Sequence, residues 1–122
     1  MGSPTSNYTD DDWRQIAWEL RQGIHHYSEN LNTAASDNWS PYLLDQLAKD
    51  MINQADALEP LIYSIRQQGS QWEASYVHAR DNLVDAHAHV QAVQSASDDS
   101  ARQAAAQQAN ESIFQATAGL PE

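Results

Sequence analysis

Residues 44–65, LDQLAKDMINQADALEPLIYSI, decide the fold because an apolar residue recurs there at every third or fourth position. Steps of three and four return to one side of an α-helix, so the pattern predicts a long helix with one buried stripe. Two other segments repeat the pattern, and together they predict an all-α helical bundle. The three stripes are Leu44, Ala48, Met51, Ala55, Leu58, Ile62 and Ile65; Trp13, Ala17, Leu20, Ile24, Tyr27, Leu31 and Ala34; and Trp72, Tyr76, Ala79, Leu83, Ala86, Val90 and Val93.

Polar signals between the stripes mark the ends of the first two helices. Thr9 followed by Asp12 has the pattern of a capping box that opens the first helix. Ser40 and Pro41 open the second, with a capping hydroxyl and a proline at the first helical position. The second stripe continues across Pro60, which falls on the outermost line of the helix, so we expect one kinked helix rather than two short ones.

Two further helices follow the second stripe. Gly69 is placed to end the second helix, and Ser70 with Glu73 forms the S-x-x-E pattern of a capping box for the third. The fourth is rich in alanine and glutamine, with Ile113 and Phe114 as its only large apolar residues. The predicted helices are therefore about 10–35, 41–68, 71–96 and 99–118.

Short turns between long helices favour antiparallel neighbours. The predicted architecture is a single-domain antiparallel up-down-up-down four-helix bundle over residues 9–122, preceded by a disordered segment at residues 1–8. The alternative is a three-helix core with a loosely attached fourth helix.

Composition excludes several functional classes. The chain has no cysteine, which rules out disulfides, zinc-thiolate sites and thiol catalysis. It carries 17 acidic against 6 basic residues, a net charge of -11, so no basic surface is available for nucleic acid or for an anionic membrane. No apolar run is long enough to span a bilayer or to form a signal-peptide core, and the cytoplasm is the expected compartment.

No catalytic motif stands out in the chain. Only four glycines are present, and none forms a phosphate-binding loop. Serine, histidine and aspartate are common, but no strained nucleophile turn accompanies them. We therefore predict a protein that is not an enzyme and needs no cofactor.

Five histidines suggest an alternative function, the binding of a divalent transition metal or a small ligand. Asp85 and His89 are four residues apart and could chelate together on one face of the third helix. His87 flanks the same stripe, and His25 with His26 lies at a similar height on the first helix. No Glu-x-x-His pair of the kind that builds metal sites in bundles is present.

The leading hypothesis is a protein-interaction module: an adaptor, an inhibitor or a subunit of an assembly. Trp18 lies one residue off the first stripe, and Tyr42 and Tyr63 are three heptads apart on an outward line of the second helix. Tryptophan and tyrosine are favoured at interfaces because they bury a large area and keep a polar tip. Glu19 and Asp56 are the acidic neighbours that would attract a basic protein partner, and a homo-oligomer is also compatible with this surface.

Overall fold

The structure, a computed structural model, describes residues 8–120 and consists of four α-helices, with no strand in that range. Every predicted helix end lies within two residues of the observed one. Residues 1–7 of the predicted disordered segment lie outside the described part of the chain. The helices are α1 (Asp10–Ser36), α2 (Pro41–Gln68), α3 (Glu73–Ser95) and α4 (Asp99–Ala118).

Side-chain caps fix the starts of three helices. The predicted capping box of α1 forms, since Thr9 Oγ1 accepts from the backbone of Asp12 and the Asp12 carboxylate accepts from the Thr9 amide at 2.8 Å. Ser40 caps α2 through the amide of Leu43, and Asp98 caps α4. α2 is continuous across Pro60, as expected, and ends at a left-handed Gly69.

The predicted capping box of α3 does not form. The Glu73 carboxylate accepts instead from Arg66 Nε at 2.9 Å, which ties the start of α3 to the end of α2. Ser70 Oγ accepts from the amide of Trp72, two residues on, so the chain still turns at that point and α3 begins at Glu73 rather than at residue 71. The competing charge on Arg66 explains why the sequence pattern failed here.

The core contains the three predicted stripes almost entirely. Leu20, Ile24, Met51, Leu58, Ile62, Leu83 and Val90 are all buried, as their positions in the stripes predict. Each helix contacts only its two neighbours in the ring α1–α2–α3–α4, so within the described residues α1 lies diagonally from α3, and α2 from α4.

The alternative with a loosely attached fourth helix is wrong. Ile113 and Leu120 join the core together with three alanines of α4, Ala106, Ala109 and Ala116. The backbone of α4 packs most densely against α3, which also buries alanines, because small side chains allow two helices to approach closely. The scarcity of large apolar residues in α4 therefore indicates tight packing rather than loose attachment.

Order also extends one residue further towards the N-terminus than predicted. Tyr8 is half-buried, and its ring meets Trp13 edge-on with the centroids 5.1 Å apart. Trp13 in turn contacts Tyr76 edge-on at 5.6 Å. This aromatic contact places Tyr8, the last residue of the predicted disordered segment, against the core.

No helix in the described range is both long and apolar enough to cross a membrane.

Candidate interaction surfaces

One side of the bundle is formed by flanking residues of α1 and α4, and we call it the α1–α4 face. Arg21 donates to the carbonyl of Leu120 at 3.0 Å, and Ser28 donates to Asn110 at 2.9 Å. On each of these two helices, the residues that follow or precede the contact residue at intervals of three and four positions form a line that borders the neighbouring helix. On α1 the line is Arg14, Trp18, Arg21, His25, Ser28 and Asn32; on α4 it is Gln103, Gln107, Asn110 and Phe114.

The opposite side is the α2–α3 face. Arg80 of α3 pairs with Glu59 of α2 at 2.9 Å, and Arg66 of α2 pairs with Glu73 of α3 at the same distance. On α2 the flanking line is Tyr42, Asp45, Lys49, Ile52, Asp56, Glu59, Tyr63 and Arg66; on α3 it is Glu73, Val77, Arg80, Val84, His87 and Gln91.

Among residues 8–120, the large apolar side chains that remain exposed lie on these two faces. Trp18 is 54% and Phe114 is 64% exposed on the α1–α4 face. Tyr42 is 70%, Tyr63 is 65% and Val84 is 43% exposed on the α2–α3 face. The groove between α3 and α4 is bordered by polar side chains, whereas the groove between α1 and α2 is mixed, with Ile16 and Leu61 beside Glu19.

The predicted interaction residues therefore do not form one surface. Trp18 lies on the α1–α4 face, whereas Tyr42, Tyr63 and Asp56 lie on the opposite side of the bundle. Glu19 belongs to neither face, because it lines the groove between α1 and α2 next to Leu61. A residue immediately before a stripe position lies on one flank of its helix, and a residue immediately after it lies on the other.

The two faces differ in charge. The α1–α4 face carries Arg14 and Arg21, and Asp11 lies three residues before Arg14 on the same line of α1. Glu19 lies in the α1–α2 groove and Glu111 lies in the α3–α4 groove. The Arg14 guanidinium also stands over the ring of Trp72, 5.6 Å from its centroid.

The α2–α3 face contains both signs of charge. Asp45, Glu59 and Glu73 are paired with Lys49, Arg80 and Arg66, each at 2.9 Å. Asp56, which stands between Lys49 and Tyr63 on α2, has neither an ion pair nor a hydrogen bond to any other side chain in the described range. The face therefore presents one uncompensated carboxylate beside an exposed tyrosine.

The candidate metal ligands are distributed over several surfaces, although Asp85 and His89, four residues apart, share one flank of α3. His25 lies on the α1–α4 face, and His26 is exposed and 3.2 Å from Glu29. His87 and His89 are two residues apart on α3, so they lie on opposite flanks; His89 borders the groove with Glu111, while Asp85 is exposed. Among residues 8–120, no three His, Asp or Glu side chains are grouped closely enough to hold a metal ion.

A cleft of about 610 Å³ lies at one end of the bundle between the α1–α2 turn and the start of α4. Leu44 and Val93 provide an apolar floor, and Trp39 and Arg102 stand at its sides. The backbone is left-handed at both Asn38 and Trp39, with φ of 56° and 57°. No nucleophile or acid–base pair is present among the residues that line the cleft.

Sequence reasoning missed Phe114 and Val84 as surface residues. Each directly follows a buried residue, Ile113 and Leu83 respectively, as Trp18 follows Ala17. The rule that identified Trp18 would have identified Val84, because Leu83 belongs to a predicted stripe, but no stripe was predicted in α4 from which to identify Phe114.

Comparison with known proteins finds no matching family model, no similar curated protein and no similar solved structure.

Proposed function

We propose that the protein is a non-enzymatic interaction module that works as an adaptor or as a subunit of an assembly and binds through two opposite faces. The observation that carries this proposal is the distribution of its exposed apolar side chains. Those on the α1–α4 and α2–α3 faces are 43–70% exposed, although the core of the same bundle is well filled. Exposed aromatics that are confined to particular sides of a rigid scaffold are typical of contact surfaces.

The residue types support the proposal. Trp18, Phe114 and Tyr63 each have few rotatable bonds, so burying them at an interface costs little side-chain entropy. Interface free energy usually concentrates in a few such anchors, which are surrounded by contacts of small individual effect. Trp18 and Phe114 serve as the anchors of one face, and Tyr63 serves as the anchor of the other.

The helix arrangement within this proposal is up-down-up-down. Trp13 near the start of α1 donates to Gln68 at the end of α2, and Tyr27 further along α1 donates to Asp50, which is earlier in α2. The pairs Arg66–Glu73 and Glu59–Arg80 follow the same reversed order between α2 and α3. These contacts support antiparallel neighbours, which hold the two aromatic faces on opposite sides along the whole bundle.

Charge indicates the chemistry of a partner for the α2–α3 face. Asp56 is uncompensated beside Tyr63, so a partner that presents a basic group and an apolar group together would satisfy both. A basic protein surface fits this face better than an acidic one.

The proposal is tested by affinity capture from cells that produce the protein, with quantitative comparison of variants. The variants are Trp18→Ala on one face and Tyr63→Ala on the other, and Gln108→Ala on the polar α3–α4 side is the matched control. Circular dichroism first establishes that all three fold. We expect each aromatic variant to lose a defined set of captured chains that the Gln108 variant keeps.

Two further results are informative. Loss of different chains in the two aromatic variants supports an adaptor with two partners, whereas loss of the same chain supports an assembly subunit. If both variants capture what the original chain captures, the aromatics only cover the edges of the core and the proposal is contradicted.

A further inference from the structure

The cleft at the end of the bundle is separate from the two faces. Of the described residues that line it, none belongs to the lines that form the α1–α4 face or the α2–α3 face. Its volume of about 610 Å³ falls within the range of small-molecule sites, about 300–1,000 Å³. Such sites combine apolar walls with a few polar groups, and this cleft has both.

The backbone at the rim of the cleft is strained at two successive residues. Asn38 and Trp39 have left-handed φ angles of 56° and 57°, a conformation that a bulky tryptophan rarely adopts. Glycine would make the same turn without strain. Residues held in such conformations cluster at ligand sites, where the surrounding structure maintains them. The strained turn leaves the Trp39 indole half-buried, so this flat ring forms part of the wall of the cleft.

The charges at the cleft indicate an uncharged ligand. Arg102 is the only charged side chain among the described residues that line it, and its Nη1 donates to Asp99 at 2.5 Å. The charge of the guanidinium is therefore compensated, but a guanidinium has five N–H donors and others remain for a neutral acceptor. A carboxylate ligand would compete with Asp99, and a cationic ligand would meet no carboxylate in the lining.

Two amide side chains add hydrogen-bonding groups to the cleft. Asn38 and Gln94 are both exposed, and each offers a donor and an acceptor. Leu44 and Val93, which are only 2% and 1% exposed, close the base of the cleft. The lining thus offers one flat aromatic ring, a compensated cation with free donors, and two neutral amides.

We propose that this cleft binds an uncharged, planar aromatic molecule that carries an amide group. The ring of the ligand stacks on the Trp39 indole, its carbonyl accepts from Arg102, and its N–H donates to the side chain of Asn38 or Gln94. This function goes beyond the interaction faces and does not depend on them.

NMR titration of the purified, ¹⁵N-labelled chain tests this inference with matched compounds. Quinolin-2-one is planar, uncharged and carries a cyclic amide. Decahydroquinolin-2-one keeps the amide without a flat ring, and quinoline-2-carboxylate keeps the ring but is charged. We expect quinolin-2-one to shift the side-chain N–H signals of Trp39, Gln94 and Arg102 with a dissociation constant of about 1 mM, and each of the other two to bind about tenfold more weakly or worse.

Variants show whether the compound binds through the proposed groups. Trp39→Ala removes the stacking ring, and Arg102→Met keeps the apolar stem but removes the donors. Each should weaken binding about fivefold, whereas Gln108→Ala in the α3–α4 groove should leave it unchanged. Circular dichroism checks the fold of each chain, and if Trp39→Ala does not fold, the exposed ion pair lost in Arg102→Met is too weak to endanger that variant, which then decides.

Three results would overturn the inference. The first is the absence of shifts at about 5 mM quinolin-2-one, or shifts that lie outside the cleft. The second is binding that neither Trp39→Ala nor Arg102→Met weakens, which would leave Trp39 with the sole role of covering the core. The third is equal or tighter binding of decahydroquinolin-2-one or quinoline-2-carboxylate, which would contradict the proposed class of ligand.

Discussion

Trp18 on α1 and Tyr63 on α2 lie on opposite sides of the bundle although their helices are neighbours. Trp18 is one turn before Arg21, which donates to Leu120 after α4, whereas Tyr63 is one turn after Glu59, which pairs with Arg80 of α3. Trp18 therefore borders α4, whereas Tyr63 borders α3. This relationship gives the molecule two contact surfaces in place of one.

The first prediction concerns ionic strength. If the occupant of the faces is a second copy, two chains of net charge -11 repel each other at long range. Lowering the salt to about 0.01 M extends the Debye length to about 30 Å, so self-association should weaken. A basic partner would bind more tightly under the same conditions, and titration by light scattering at both salt concentrations therefore separates the two kinds of occupant.

The second prediction tests the helical register through two adjacent residues. Leu83 is fully buried, while Val84 is 43% exposed. Leu83→Ala should lower the free energy of unfolding by about 2–5 kcal/mol, because it removes buried apolar area and leaves a cavity. Val84→Ala should change it by less than about 1 kcal/mol. Urea denaturation measures both, and equal effects would show that the register of α3 is wrong.

The third prediction concerns alkaline pH. Burial, and next the charge of Asp50, raise the pKa of Tyr27 to about 12, and burial raises the pKa of Tyr76 above its ordinary range as well. Above about pH 10 the unfolded chain loses these protons while the folded chain keeps them, so stability is full below that pH and falls as pH rises. Tyr27 alone should account for a loss of about 2 kcal/mol by pH 12.

Tyr27→Phe supplies the comparison for the alkaline prediction. Its midpoint of urea denaturation should change less steeply between about pH 10 and about pH 12 than that of the original chain. Identical slopes would mean that the Tyr27 hydroxyl, which donates to the Asp50 carbonyl at 3.2 Å, is not held in the folded state.

The fourth prediction uses two glycines that differ only in backbone conformation. A Cβ added to Gly23 or to Gly69 would meet no atom within 4 Å, but Gly69 has a φ of +66° and Gly23 lies inside α1. Gly23→Ala should stabilise the protein by about 0.5–1 kcal/mol through higher helix propensity. Gly69→Ala should destabilise it by about 1–2 kcal/mol because a left-handed backbone is strained for alanine. Thermal denaturation of both variants checks the opposite signs.

Periodicity was sufficient to predict α1, α2 and α3 and their part of the core, because the spacing of residues such as Leu58 and Ile62 depends only on the geometry of a single helix. The capping box at Ser70 failed because Arg66 competes for the Glu73 carboxylate, and such competition between two helices is not visible in a local pattern. The tight packing of α4 was missed for a related reason. Taken alone, a run of alanines suggests that a helix packs weakly. It allows a close contact between helices only when the neighbouring helix also buries alanine.

The candidate surfaces could be predicted only in part. Position one residue off the stripe correctly identified Trp18 and Tyr63 as exposed, but a helix has two flanks and the pattern alone does not say which neighbour each flank meets. That information comes from contacts such as Ser28 with Asn110, which are 82 positions apart in the chain. The division of the aromatics between opposite faces therefore required the tertiary structure.

The most direct measurement of whether the two faces bind partners is photo-cross-linking from single-cysteine variants, which the cysteine-free chain makes unambiguous. His25→Cys labels the α1–α4 face and Val84→Cys labels the α2–α3 face, and neither replaces Trp18, Phe114 or Tyr63. With a benzophenone maleimide attached, each variant should cross-link to a discrete protein in an extract of the cells that produce the chain, while the same label on Gln108→Cys should give little product. Labels on both faces that yield no more product than the Gln108→Cys control would contradict the account.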